Sequence, residues 1–142
     1  MYKITRNNRI HDEIQLCHAN GDVALSVDVD LNVDEIAGRL NKARETLASA
    51  QAAMKKNETS EAKLEAYGNA VLGFFGVIFG EENTAKIVEF YEGRYSEMLL
   101  DLFPFINNEL MPKIYAASAA RREQLLAAAK MVKSDSKKGW RR

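Results

Sequence analysis

Apolar residues fall at alternate positions in two short runs near the start of the chain, then switch to a three-four spacing that persists almost to its end. In "EIQLCHANGDVALSVDVDLN", Ile14 and Leu16 form the first run and Val23, Leu25, Val27, Val29 and Leu31 the second. Alternation places such residues on one face of a strand. Asn20-Gly21 between the runs is a strong hairpin signal, because both residues tolerate the positive φ of a type I′ turn. The pattern predicts a β-hairpin over about residues 13–30. Only one face can be buried, since Ala24, Ser26, Asp28 and Asp30 occupy the other.

Asn32 then stands as an N-cap before "VDEIAGRL", with Glu35 placed to complete a capping box. The stripe Val33, Ile36, Leu40, Ala43, Leu47, Ala50 and Met54 repeats three-four, a thin seam in which alanines alternate with larger residues and close antiparallel packing is possible. Thr59 or Ser60 can cap a second helix with the stripe Leu64, Tyr67, Val71, Phe74 and Ile78. From Ala70 on its other faces are apolar too, as in a helix buried on all sides. Gly73 and Gly76 each cost about 1 kcal/mol of helix propensity relative to alanine. Their presence predicts close approach of another backbone, and Gly80 predicts the helix end. A third helix is expected from Asn83 or Thr84 through Leu102, and Pro104 should kink or restart it. The last helix carries Phe105, Ile106, Leu110 and Ile114, then an alanine-rich stretch with few large apolar anchors, so it should project. The fold class that follows is mainly α: an N-terminal β-hairpin followed by a bundle of about four helices, the last long and projecting.

The chain's 142 residues suit a single domain, expected over residues 1–133, with a basic flexible tail at 134–142. Formal net charge is zero, but the charge is segregated. Before Arg121 there are twelve basic against eighteen acidic residues, and from Arg121 onward eight basic against two acidic. Cys17 has no second cysteine to pair with, which fits a reducing, cytoplasmic setting. The uncharged run from Gly68 to Gly80 is shorter than the roughly 20 residues of a spanning helix, so no membrane role is expected.

No constellation points to catalysis, a metal or a cofactor. Asp28, Asp30 and Asn32 begin like a calcium loop, but Val33 stands where the turn needs glycine and Arg39 where a bidentate Glu belongs; a strand followed by a helix cap fits better. His11, Cys17 and His18 lack zinc spacing and a fourth ligand, and on a hairpin they are poor candidates for a thiol-imidazole pair. The carboxylates Glu81, Glu82, Glu89, Glu92, Glu97, Asp101 and Glu109 read as a solvated helix face. The glycines follow helical residues, not a strand, so no phosphate loop is present. The protein is expected not to be an enzyme and to have no cofactor. Arg121, Arg122, Lys137, Lys138, Arg141 and Arg142, with Trp140, offer an alternative reading as a small nucleic-acid-binding regulator.

The segment "FFGVIFGEENTAKIVEFYEGRYSEMLLDLFPFI", with its aromatic-glycine end, acidic cap, "IVEFYEGRYSEML" and "PFI", resembles small proteins of siphophages and prophages of Gram-positive bacteria. These are the tail assembly chaperones made between the major tail protein and the tape measure protein. The resemblance covers about a quarter of the chain and rests on structural, not catalytic, motifs. It implies a non-enzymatic protein in the bacterial host cytoplasm that binds the tape measure or another tail protein and self-associates as a homo-oligomer. Phe74, Phe75, Val77, Phe79, Phe90, Tyr91 and Tyr95 are the expected partner or oligomer interface, and the hairpin edge is a second route to self-association.

Overall fold

The computed structural model describes residues 1–5, 9–54 and 60–140, with side chains through residue 133 of the last helix. It is mainly α-helical. Two antiparallel strands, β1 (Arg9–Cys17) and β2 (Val23–Asn32), precede five helical segments: α1 (Val33–Met54), α2 (Glu61–Phe79), α3 (Glu81–Phe90), α4 (Tyr95–Phe105) and α5 (Met111–Trp140). The hairpin pairs within the chain. Ile10 opposes Leu31, Ile14 opposes Val27 and Leu16 opposes Leu25, so the apolar sets of both strands share the face turned to the helices. β1 begins at Arg9, earlier than expected, because Arg9 Nε donates to Asp30 Oδ1 at 2.6 Å and Ile10 continues the buried face. Asp12 lies on that same face opposite Val29, where Lys113 Nζ of α5 reaches it at 2.7 Å. This contact draws the Asp12 carboxyl below its ordinary range and docks α5 on the hairpin.

The connection differs from the expected type I′ turn. Gly21 N–H donates to His18 C=O, and of the two turn residues only Gly21 has positive φ. Asn20 instead accepts the Asp22 N–H through Oδ1, and the register slips between Leu16 and Cys17. A tight turn followed by a left-handed glycine and a bulge gives the chain the same reversal.

Asn32 caps α1, its Oδ1 accepting the Asp34 N–H at 3.0 Å. Ser60 caps α2 through Lys63 N–H, and Gly80 ends it at φ 82°. α1 and α2 pack antiparallel through Leu40, Leu47 and Phe74, with the hairpin across the α1 N-terminus and the α2 C-terminus. Asn83 ties the latter junction, donating from Nδ2 to the carbonyls of Phe79 and Asp28.

The third helix is interrupted where one continuous helix was expected. α3 ends in a Schellman turn, with Gly93 N–H donating to Val88 C=O and Glu92 N–H to Glu89 C=O. Glu92 and Gly93 both adopt positive φ there. Pro104, expected to kink or restart the helix, sits inside α4. The irregularity falls later, as a π turn at Ile106–Leu110 that joins α4 to α5 without a break. Pro112 accounts for it. Proline has no N–H and its ring crowds the carbonyl four residues back, while the π turn widens that stretch through an i→i−5 bond from Met111 N–H to Ile106 C=O. α5 continues to Trp140, through much of the segment read as a flexible tail; Arg141 and Arg142 lie outside the described residues. No helix among the described residues is long and apolar enough to cross a membrane.

Candidate functional site

α1 and α2 meet through small residues along part of their length, and the consequence is an open groove. Ala43 of α1 faces Ala66, Ala70 and Gly73 of α2, so neither wall rises high enough to close it. The hollow is about 470 Å³, with Phe74 and Val77 adding apolar surface and Thr46 and Asn69 polar points along the edge. Arg39 and Lys42 rim it, and neither has an ion-pair partner among the described residues. A second hollow of about 460 Å³ shares Arg39 and Val77 with the first and carries the furrow past Gly76 and Gly80 to Asp28 and Asp30 of β2. A Cβ added at Gly73 or Gly76 would meet nothing within 4 Å. The expected close backbone approach at these two glycines is therefore not made inside the chain. The tight contact is at Gly68 instead, where a Cβ would stand 2.9 Å from the Tyr95 ring, a side chain and not a backbone.

The residues expected at a partner interface divide. Phe74, Phe75, Phe79 and Tyr91, expected at a partner or oligomer interface, are buried in the chain's own core. The reason is that α1, the hairpin, α3 and α4 pack around α2, which is not buried on all sides as expected but keeps the face of Ala66, Asn69, Gly73 and Val77 open. The Tyr91 hydroxyl is also engaged, donating to Asp101 Oδ2 at 3.1 Å, and burial followed by this carboxylate raises its pKa well above the ordinary tyrosine range. Val77, Phe90 and Tyr95 are half-buried. They lie apart: Val77 in the α1/α2 groove, Phe90 beside the hairpin turn with its ring 6.1 Å from that of His18, and Tyr95 against Gly68.

The other candidate residues are dispersed. Arg121 Nε pairs with Asp34 at 3.6 Å and Arg122 is exposed. The side chains of Lys137 and Lys138 lie outside the described set. Asp30 pairs with Arg9, and Asp28 is exposed on the outer strand face, so the aspartates of the calcium-like string serve the hairpin. His11 stands 3.7 Å from Asp30, while Cys17 is exposed at the strand end.

Comparison of the chain with models of known families, with curated proteins and with solved structures found no match. The groove has the chemistry of a binding surface: an apolar floor, cationic rim and polar edge, which suit an amphipathic helix bearing carboxylates. Sequence reasoning missed Arg39, Lys42 and Asn69. The available signal was the alternation of Ala43 and Ala50 with larger residues, since a seam built on alanine leaves space that its partner helix must fill or leave open.

Proposed function

We propose that this is a non-enzymatic interaction protein of the phage tail assembly chaperone kind, acting in the bacterial host cytoplasm. Its α1/α2 groove receives an amphipathic helix of the tape measure chain. The observation that carries the reading is the pair Gly73 and Gly76. They weaken a helix otherwise held by packing, and open space lies in front of both. A glycine-floored groove admits another helix at close range, and the tape measure is a long chain whose apolar surface needs cover until the tail closes around it. Arg39 and Lys42 select helix segments that carry Asp or Glu beside their apolar stripe.

The test is co-purification of the tagged protein, expressed with its neighbouring genes, at physiological salt. The expected result is stoichiometric recovery of a long helical tail protein, abolished by Val77→Glu in the groove. Recovery of none, or equal recovery by the variant, sinks the reading. The alternative, a nucleic-acid-binding regulator, has in its favour the exposed Arg122, Lys130 and Lys133 on α5, with no ion-pair partner among the described residues. Its mark would be nucleic acid that co-purifies and leaves steeply as salt rises.

A further inference from the structure

The α1/α2 furrow is longer than a pocket, and its charge changes sign along its length. Its two hollows join at Arg39 and Val77, and together they run along α2 from Ala66 to Gly80. At about 1.5 Å per residue that is roughly 21 Å, nearly four turns of helix. A helix laid across α2 would touch little more than one of those turns, so only one lying along the furrow fills it. The α2 wall is low, since Ala66, Gly73, Gly76 and Gly80 offer no side chain beyond a methyl. A backbone can come close there, and recognition falls to the residues at the edges.

Those edges differ from end to end. Lys42 and Thr46 line the first hollow alone, Arg39 stands at the join, and Asp28 and Glu81 line the second. Asp30 is there too, but Arg9 Nε holds it at 2.6 Å. Glu35, one turn before Arg39 on α1, shares with it a smaller hollow of about 220 Å³ on the hairpin side. Lys42, Arg39, Asp28, Glu35 and Glu81 have no ion-pair partner among the described residues, so contacts within the chain do not cancel these charges. The furrow is cationic from Lys42 to Arg39 and acidic where it meets the hairpin. On the reading of this groove as a helix-binding surface, we infer that its occupant is a dipolar segment of another protein. Such a segment has about four helical turns with one apolar stripe, Asp or Glu at the end beside Lys42 and Arg39, and Lys or Arg at the end beside Asp28 and Glu81. A uniformly acidic helix meets repulsion at the hairpin end, and a uniformly basic one meets it at the other. The order of charges therefore selects both the segment and the way round in which it lies.

Selection of a displayed random library of peptides about 14 residues long on the immobilised full chain tests this. Enriched peptides are expected to carry apolar residues at three-four spacing, with acids clustered at one end and bases at the other. The pair Arg39→Gln with Lys42→Gln should remove the preference for the acids alone and weaken an enriched peptide about fivefold. Asp28→Asn with Glu81→Gln should do the same for the bases alone. All four side chains are exposed, and circular dichroism checks that each variant folds. Enriched peptides whose charges follow no end-to-end order, or that ignore either pair of substitutions, overturn the dipolar order; if Val77→Glu still abolishes their binding, the groove remains the helix-binding surface. Enriched peptides that bind the Val77→Glu variant as well as the wild type, or a library that yields none, overturn both.

Discussion

α2 and the outer half of α5 are both helices, for opposite reasons. α2 carries Gly68, Gly73 and Gly76 with the β-branched Val71, Val77 and Ile78, a composition that weakens an isolated helix. It is held by burial of Val71, Phe74, Phe75, Ile78 and Phe79. The α5 arm buries no large side chain between Gln124 and Lys133, but there it is built from Ala, Leu, Met, Lys and Gln, which favour helix, with a single Val. Packing can thus sustain a helix whose residues disfavour it, and propensity can sustain one that packs on nothing.

Substitutions should separate the two cases sharply. Phe75, fully buried, should cost about 3–5 kcal/mol on change to alanine, read as a lowered midpoint of chemical denaturation. Ala128→Pro in the arm should remove helical ellipticity at 222 nm through a local cost of about 3 kcal/mol, yet leave the midpoint within about 0.5 kcal/mol. If that midpoint fell as far as for Phe75→Ala, the arm would be part of the cooperative body. Gly73→Ala should stabilise the protein by about 1 kcal/mol, since the added methyl meets open space and helix propensity rises. If the groove receives a helix as proposed, the same methyl should weaken that binding, so stability and binding would move in opposite directions.

The smallest effect belongs to the contact that docks the inner end of α5. Lys113 lowers the Asp12 pKa below 3.8, chiefly by its hydrogen bond. The group is more readily ionised in the folded chain than in the unfolded one. Its stabilisation is thus present above the ordinary aspartate pKa and is lost as pH falls from about 4 through the folded value. Asp12→Asn should cost less than about 1 kcal/mol at pH 7, because Lys113 is 47% exposed. The difference from wild type should vanish in denaturation midpoints measured near pH 2.

The architecture was legible where one residue pattern admitted one structure. Alternation of Val27, Val29 and Leu31, the Asn32 and Ser60 caps and the Gly80 stop all lie where the pattern puts them. The α3/α4 break was not legible as a boundary, because "FYEGRY" keeps a helical apolar spacing through the turn and a glutamate, Glu92, occupies the left-handed position where glycine is usual. The site was less legible still. An aromatic cluster can be read as an interface or as core with equal ease, and only the positions of α1, α3 and the hairpin decide that Phe74, Phe75 and Phe79 face inward. The α1/α2 groove is made of residues that are absent in bulk, and a missing side chain leaves little trace in a hydrophobic pattern.

The π turn at Ile106–Leu110 has a mechanical meaning. Met98, Leu102, Ile106, Leu110 and Ile114 recur every fourth residue and are all buried. In an ordinary α-helix such a series drifts about 40° per step around the axis, and the wider π turn takes back part of that drift. Core and arm are thereby joined as one cantilever anchored beneath the hairpin, with no loop between its root at Tyr95 and its tip at Trp140. In a beam of this kind a small tilt at the root becomes a larger displacement at the tip.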